Sequence, residues 1–240
     1  MLVLFTDFGL QGPYIGQVEA VLQQHAPGVP VINLFSDLPP FDIQAAAYLL
    51  PACAQSFMPG TVFVCVVDPG VGGKRSGVIV RADGRWYIGP NEGLFTPLAR
   101  RAKDSRCWLL PGPPASASPS FHGRDVFAPL AGRLARDGRY SGEELATTEL
   151  DMPDWPDDLW RVVYIDRFGN AITGLRGSVI GPDVVFNVEG HPLQHARTFS
   201  EVDAGEAFWY ENSSGLVEFA VNRGRADAVL GLRVGSEFSG

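Results

Sequence analysis

Six short polar motifs contain the side chains of this 240-residue chain that could do chemistry. In chain order they are TDFG at 6–9, DPGVGGKR at 68–75, PNEGL at 90–94, FHGRD at 121–125, DRFGN at 166–170 and NSSG at 212–215. Carboxylate and imidazole groups can accept protons, and a guanidinium group can stabilise negative charge, so the motifs suit an enzyme that handles a proton. Taken singly, each motif is also compatible with a structural turn or a helix cap.

Two of the motifs directly follow apolar strands. Residues 61–67 contain no glycine, proline or charge, which is typical of a strand buried on both faces of a parallel sheet, and this strand stops at Asp68. Residues 2–6 form a shorter apolar strand that stops at Asp7. Because open α/β sheets bind ligands at the carboxyl edge of their strands, we expect both acids at that edge. For Asp68 alone, a simple Asp-Pro-Gly turn is an equally good interpretation.

The first 150 residues alternate between strand and helix patterns. Strands are predicted at 2–6, 29–35, 61–67, 77–82, 86–89 and 107–110, and helices at 12–25, 43–57, 91–103 and 126–137. We expect Asp42 to cap the second helix and Pro51 to kink or split it. Asp83 and Gly84 predict a two-residue hairpin turn. The alternation predicts an α/β N-terminal domain with a mainly parallel sheet over residues 1–150.

The pattern changes after residue 150. Residues 151–159 contain two prolines and four acids and predict a linker. Beyond them, short β-rich runs separated by turn residues lie at 160–165, 184–188, 207–210, 216–221 and 228–234. Since no long helical pattern occurs there, residues 160–240 are predicted to form a small all-β, barrel-like C-terminal domain.

The composition argues against several classes of protein. The net charge of −8 argues against nucleic-acid binding. No apolar run approaches the roughly 18 to 20 residues of a membrane span, and the N-terminus lacks the basic region of a signal peptide. Cys53, Cys65 and Cys107 are odd in number and widely spaced, as expected for reduced thiols in a cytoplasmic protein. Neither they nor the four histidines show the spacing of a metal site, so no metal is expected.

The six motifs, in this order and at this spacing, resemble those of the S-adenosyl-L-methionine (SAM) hydrolases that form adenosine and L-methionine. These enzymes are also called SAM hydroxide adenosyltransferases, and they are relatives of the fluorinases and chlorinases. The resemblance spans nearly the whole chain and implies an α/β domain joined to a C-terminal β-barrel. It also implies a homotrimer with active sites between neighbouring subunits. The implied reaction is attack of water or hydroxide at the ribose C5′ of SAM, which expels L-methionine without any cofactor.

The resemblance assigns roles to residues at matching positions. Asp68, Arg75 and His122 correspond to the catalytic set associated with the water, and which of them takes its proton is left open. Asp7, with Phe8 in the same motif, corresponds to the site that holds the ribose hydroxyls. The residues that correspond to the methionine and adenine sites are Asp166, Phe168, Asn170, Ser213 and Ser214.

Three other functions compete with SAM hydrolysis. A halide-using enzyme is disfavoured because the halogenating relatives carry other residues where this chain has Asp68 and His122. A non-catalytic sensor of SAM or adenosine would keep the pocket without needing an intact catalytic set. A nucleoside hydrolase would carry a calcium-binding cluster of N-terminal aspartates, and Asp7 has no such neighbours.

Three features distinguish this chain from the fluorinases or from the usual pattern of the family that it resembles. The tight turn at 83–84 leaves no room for the extra loop of the fluorinase. Gly174 stands where the family usually has an asparagine, which removes one expected polar contact near the methionine end. Ser214 stands where the fluorinase has an arginine.

Overall fold

The computed structural model describes all residues from 1 to 240, and the chain divides into two compact units. The first unit is Met1–Met152 and the second is Pro153–Gly240. No helix in either unit is both long enough and apolar enough to cross a membrane.

A seven-stranded sheet forms the centre of the first unit. Its strands are β1 Leu2–Thr6, β2 Val31–Phe35, β3 Val62–Val66, β4 Gly77–Ala82, β5 Arg85–Pro90, β6 Ser105–Leu109 and β7 Glu144–Leu145, in the spatial order β2-β1-β3-β5-β4-β6-β7. Neighbouring strands from β2 to β5 pair in parallel, whereas β5 with β4, β4 with β6, and β6 with β7 pair antiparallel. The sheet is therefore mixed, and the expectation of a mainly parallel sheet was wrong for its second half. The reason is the β4–β5 hairpin at Asp83 and Gly84, which reverses the chain direction as predicted from these residues.

Four helices pack with this sheet: α1 Tyr14–His25, α2 Ile43–Ala54, α3 Thr96–Arg101 and α4 Ala128–Asp137. Every residue of β1 and β3 is buried, which confirms the burial predicted for residues 61–67. Val18 and Leu22 of α1 belong to the same core as alternate residues of β1 and β3. Because β1 and β3 pair in parallel within this core, their carboxyl ends lie side by side. The motifs that follow the two strands therefore begin next to each other.

The two predictions made for helix α2 can be compared with the structure in detail. Asp42 caps α2 as expected, because its Oδ1 accepts a hydrogen bond from the Ala45 N–H at 2.8 Å. The helix is not split at Pro51 but continues to Ala54, and almost all of α2 is buried. Packing of this buried surface offsets the hydrogen bond that proline cannot donate.

Helix α1 lies within the predicted range 12–25, whereas the helices predicted at 91–103 and 126–137 differ more clearly from the prediction at their starts. Residues 91–103 contain only the short α3, because Gly93 adopts a left-handed φ of 95° and keeps the preceding residues in a turn. The helix predicted at 126–137 begins earlier, with a π-helical turn at Gly123–Phe127 that leads into α4. Such turns are uncommon and are often found at functional sites.

The second unit is built mainly of antiparallel strands. They are β8 Leu159–Ile165, β9 Ala171–Arg176, β10 Phe186–Val188, β11 His191–Leu193, β12 Ala207–Glu211 and β13 Leu216–Val221. Four of them form a sheet in the order β12-β13-β9-β8, and β10 pairs with β11. This confirms an all-β C-terminal region, whereas its closure into a barrel stays a prediction. The sheet packs around a core that includes Phe186, Trp209 and Phe219.

Sequence patterns misjudged three segments of this unit, of which the short strand β11 was simply not predicted. The central strand β9 was not predicted, because Gly174 and Thr173 interrupt its apolar pattern; pairing with β8 and β13 on its two sides sustains it. Residues 228–234 were predicted as a strand, but the chain forms a one-turn helix α5, Ala226–Val229, followed by a turn. An apolar run this short does not distinguish a strand from a buried helical turn.

Candidate active site

Asp68 and Arg75 form a buried ion pair just beyond β3. The Arg75 guanidinium donates from Nε to Asp68 Oδ1 at 2.6 Å and from Nη2 to Asp68 Oδ2. The side chains of Asp68 and Arg75 are only 5% and 7% exposed, so water screens this pair weakly. A glycine is required in the loop between them, because Gly72 has a φ of 78° and a Cβ there would lie 2.5 Å from the Pro119 carbonyl oxygen. The glycine-rich loop thus lets the chain fold back and place the cation on the acid.

His122 completes this group from a distant part of the chain. Its Nδ1 lies 3.0 Å from Arg75 Nη2. Because a guanidinium has only donors, Nδ1 must be the acceptor, which leaves the ring neutral with its proton on Nε2. Burial of the ring is the largest cause that lowers the pKa of His122, and the Arg75 cation lowers it further against the opposing charges of Asp68 and Asp125. The structure therefore brings Asp68, Arg75 and His122 into one hydrogen-bonded cluster, which we call the DRH cluster.

Phe8 links the motif after β1 to the segment that carries His122. Its ring packs edge-on against Phe121, with 5.6 Å between ring centroids. A Cβ on Gly123 would lie only 2.8 Å from Phe8 Cζ, so the start of the π-helical turn sits directly on this ring. The sequence predicted Phe8 as a substrate contact, and the structure also gives it a packing role that positions His122.

Asp7 lies within electrostatic reach of Asp68 and is held by a strained backbone. Its Oδ2 accepts a hydrogen bond from the Phe41 N–H at 3.1 Å. Phe41 adopts a φ of 64°, which is uncommon for a bulky residue, while its ring is 74% exposed. Burial raises the pKa of Asp7, and the charge of Asp68 adds a smaller increase, against hydrogen bonds that lower it. Phe41 was not among the predicted site residues, since its positive φ has no signal in the sequence.

Glu92 is a second acidic group beside the DRH cluster that was not predicted as a site residue. Its carboxyl group lies against Gly70, where a Cβ would be 2.7 Å from Glu92 Oε1. Its Oε2 is buried and has no hydrogen-bond partner. Burial raises the pKa of Glu92 first and the charge of Asp68 second, while Arg75 lowers it. The residue stood within the PNEGL motif, but only the fold brings it to the turn after Asp68.

The second unit contains a cavity of about 850 Å³ on one side of its four-stranded sheet. All five predicted methionine- and adenine-site residues line it, namely Asp166, Phe168, Asn170, Ser213 and Ser214. Tyr210, Asn212 and Glu218 line it as well and were not predicted. Gly174 lies instead within β9, where it is buried opposite Leu159 and is not among the lining residues.

Asp166 holds the turn that presents Phe168 to this cavity. Its Oδ1 accepts hydrogen bonds at 2.9 Å from the N–H groups of both Phe168 and Asn170, and its Oδ2 accepts one at 3.2 Å from Asn170 Nδ2. The Phe168 ring is left 73% exposed. The Asp166 bonds fix the backbone at Phe168, and an exposed aromatic ring that lines a cavity is suited to stacking on a flat ligand group.

Comparison with known proteins gives a consistent result over the whole chain. Residues 2–144 match the family model described as the SAM hydroxide adenosyltransferase N-terminal domain, and residues 160–239 match that of the C-terminal domain. The (R)-S-adenosyl-L-methionine hydrolase of Thermus thermophilus is 42% identical, over 96% of this chain and 95% of the relative. A conserved protein of Thermotoga maritima of known crystal structure is similar with a TM-score of 0.89 at 28% identity, covering 100% of this chain and 99% of the other. A fluorinase of Nocardia brasiliensis is more distant, at 22% identity over 98% of this chain and 94% of its own.

Proposed function

The chain belongs to the SAM hydroxide adenosyltransferase family, and from this premise we propose that it hydrolyses SAM to adenosine and L-methionine. The observation that carries the proposal is the DRH cluster, in a chain similar to a SAM hydrolase of Thermus thermophilus over almost its full length. A sensor that had lost catalysis would not need a buried ion pair joined to a neutral histidine.

The proposed reaction is a displacement at the ribose C5′ carbon. The oxygen of water forms a bond to C5′, the C5′–S bond breaks, and its electron pair stays on sulfur as methionine leaves. A sulfonium becomes a neutral thioether on leaving, so no acid has to protonate it. The enzyme must align the water with the C5′–S bond and accept one proton from it. No cofactor or metal takes part in the proposed reaction.

Asp68 accepts that proton in our proposal. His122 already uses its Nδ1 as the acceptor for Arg75, so the face that it can present to a water carries the Nε2–H donor. The Asp68 carboxylate has lone pairs beyond the two that Arg75 occupies. Arg75 stabilises the hydroxide character that develops on the attacking oxygen, and His122 holds Arg75 in place.

The remaining parts of the site are proposed for binding. Asp7 would hold the two ribose hydroxyls, because a carboxylate has lone pairs beyond the one that the Phe41 N–H occupies and can accept from both hydroxyls. The cavity of the second unit would hold the methionine and adenine parts of SAM. Its five predicted residues and its volume support this assignment.

The assembly and location of the protein are also part of the proposal. The family resemblance supports a homotrimer with active sites between neighbouring subunits, and a barrel-like second unit. A cytoplasmic location fits the buried thiols of Cys65 and Cys107, whose pKa values are raised by burial. The net charge of −8 supports no role for nucleic acid, and no membrane is involved in the proposed reaction.

The function is tested by incubating the purified protein with SAM, with and without chloride, and separating the nucleosides by chromatography. We expect adenosine and methionine in equal amounts whether or not chloride is present. Asp68→Asn serves as the inactive control, and Asp183→Asn, in an exposed turn, as the matched active control. A 5′-halogenated nucleoside would reassign the protein to halogenation, and bound SAM without any product would make it a sensor.

A further inference from the structure

Glu218 is a buried carboxylate at the cavity of the second unit to which neither sequence motif nor family resemblance assigns a role. It lies in β13 and is 4% exposed. Its Oε1 accepts a hydrogen bond from the Tyr210 hydroxyl at 2.5 Å, and its Oε2 accepts one from Asn212 Nδ2 at 2.8 Å. Both carboxylate oxygens are therefore occupied by neutral donors, and the Asn170 side chain is a further neutral hydrogen-bond donor to this acid.

The bond to Asn212 connects Glu218 to the NSSG turn. Asn212 Oδ1 accepts hydrogen bonds from the N–H groups of Ser214 at 2.9 Å and Leu216 at 3.1 Å. With its oxygen committed to those two groups, the Asn212 amide can present only its NH₂ group to Glu218. Glu218 thus fixes the amide that in turn fixes the backbone of Ser214.

The bond to Tyr210 fixes a second group at the same cavity. Tyr210 on β12 stands directly opposite Glu218 on β13 in the antiparallel ladder. Burial is the largest cause that raises the pKa of Tyr210, and its bond to Glu218 raises it further, so the hydroxyl keeps its proton and remains a donor. The Phe199 ring packs on the Tyr210 ring with centroids 5.5 Å apart and limits its movement.

The charges around Glu218 show that its carboxylate is retained at a cost. Burial is the largest cause that raises the pKa of Glu218. The hydrogen bonds from Tyr210 and Asn212 lower this pKa, and the charge of Asp166 in the same cavity raises it. The nearby Arg225 is committed to Asp227, with bonds of 3.0 and 2.7 Å. A buried acid that bonds only neutral donors is less favourable to stability than an apolar residue of similar size.

We propose that Glu218 is a positioning residue for ligand binding: it holds the Tyr210 hydroxyl and, through Asn212, the NSSG turn in the geometry that the ligand meets. The identity of that ligand as SAM or adenosine rests on the function proposed above. Glu218 takes no part in bond making at C5′, so its loss weakens binding much more than it slows the bound substrate.

The test is a pair of substitutions that break and then restore the Asn212 bond. Glu218→Gln keeps the shape but leaves a single oxygen for two donors, so it cannot accept from both the Tyr210 hydroxyl and the Asn212 NH₂ group. Adding Asn212→Asp reverses the polarity of the bond and leaves an oxygen to accept from Ser214 and Leu216. We expect Glu218→Gln to raise the Kd for SAM and for adenosine roughly tenfold, with kcat at saturation changed less than about threefold, and the double variant to recover most of the affinity. Glu189→Gln, in the exposed β10–β11 turn, is the matched control and should bind as wild type.

A measurement on the protein without ligand tests this inference independently of the proposed function. Amide hydrogen exchange at Ser214 and Leu216 should quicken in Glu218→Gln and slow again in the double variant, whether or not the protein hydrolyses SAM. If wild type fails to hydrolyse SAM while exchange and affinity follow this pattern, only the reaction is wrong. Unchanged affinity and exchange in Glu218→Gln, or no recovery in the double variant, overturns the inference. Should Glu218→Gln fail to fold, Tyr210→Phe replaces it, and wild-type affinity in that variant overturns the inference equally.

Discussion

The DRH cluster of the first unit and the cavity of the second unit differ in the partners that they provide for their carboxylates. In the DRH cluster a carboxylate is paired with a cation, and Arg75 also donates to a neutral histidine. In the cavity, Asp166 and Glu218 bond only neutral donors and use them to hold two turns and a tyrosine. A paired, water-excluded charge is suited to stabilising charge that develops in a reaction. Carboxylates that organise turns set the shape of a binding surface, so the difference supports our proposal that the chemistry lies in the first unit and that the second unit binds the methionine and adenine parts of SAM.

The largest effect should come from removing the proposed proton acceptor. We expect Asp68→Asn to lower kcat by about a thousandfold, because loss of a general base costs between about a hundredfold and ten-thousandfold. The Kd for SAM should stay within about threefold of wild type, since the cavity of the second unit is unchanged. Single-turnover kinetics and equilibrium binding give the two values. An Asp68→Asn enzyme with normal kcat and weakened binding would reverse the roles of the two regions.

The role of His122 can be resolved by comparing two amides. The Asn oxygen can occupy the position of Nδ1 and accept from Arg75, whereas Gln reaches only the position of Nε2. If His122 holds Arg75, His122→Asn should keep about tenfold more activity than His122→Gln or His122→Ala. An equal loss of activity in all three variants would contradict this role and indicate instead that His122 accepts the proton.

The pH dependence tests the same residue in the wild type. The charged and titratable groups around His122 are Arg75, Asp68 and Asp125, and burial and Arg75 together lower its pKa below the ordinary 6.5. The imidazole ring of His122 is therefore neutral at pH 7, and kcat/KM should change little as the pH is raised above 7. As the pH falls through the lowered pKa, protonation of Nδ1 removes the acceptor for Arg75, and kcat/KM should fall about tenfold per pH unit. His122→Asn should lack this step; a profile identical to wild type would assign the titration to another group.

The two phenylalanines that were predicted to contact the substrate, Phe8 and Phe168, should differ in how their substitution by alanine affects stability and substrate binding. Phe8 is half-buried against Phe121, so Phe8→Ala should lower the free energy of unfolding by about 2 kcal/mol. Phe168 is 73% exposed, so Phe168→Ala should change that free energy by less than about 0.5 kcal/mol while raising KM for SAM. Urea unfolding and steady-state kinetics measure the two quantities. Equal destabilisation by both changes would remove the distinction between the residue that packs and the residue that binds.

The smallest effect is expected for Glu92. Because its folded pKa is raised, its ionised form destabilises the fold as the pH rises through that pKa, and Glu92→Gln removes this penalty. At pH 7 to 8 the variant should be more stable by about 1 kcal/mol, with kcat within about threefold of wild type. At pH 3, well below the ordinary pKa of 4.5, the carboxyl is protonated in both states and the gain should disappear. A loss of stability at pH 8 would mean that the buried Oε2 has a partner in solution.

Much of the fold followed from local patterns. The buried strands β1 and β3, the cap at Asp42 and the hairpin at Asp83 and Gly84 depend on residues that are close in sequence, and the structure agrees with all of them. The pairing of β6 with β4 and the strand β9 depend on contacts between segments farther apart in the sequence, which local patterns do not encode.

For the site, the sequence by itself determined the motifs, their order and hence the family resemblance, because these depend only on residue type and spacing. Tertiary structure alone decided how those residues act on each other. The bond between Arg75 and His122 joins positions 47 residues apart and sets which ring nitrogen carries the proton. Glu92 against Gly70, Phe41 on Asp7 and Glu218 beneath the NSSG turn were likewise invisible in the sequence. The physical reason is that burial and hydrogen-bond partners are properties of neighbours in space, and these properties determine protonation and position.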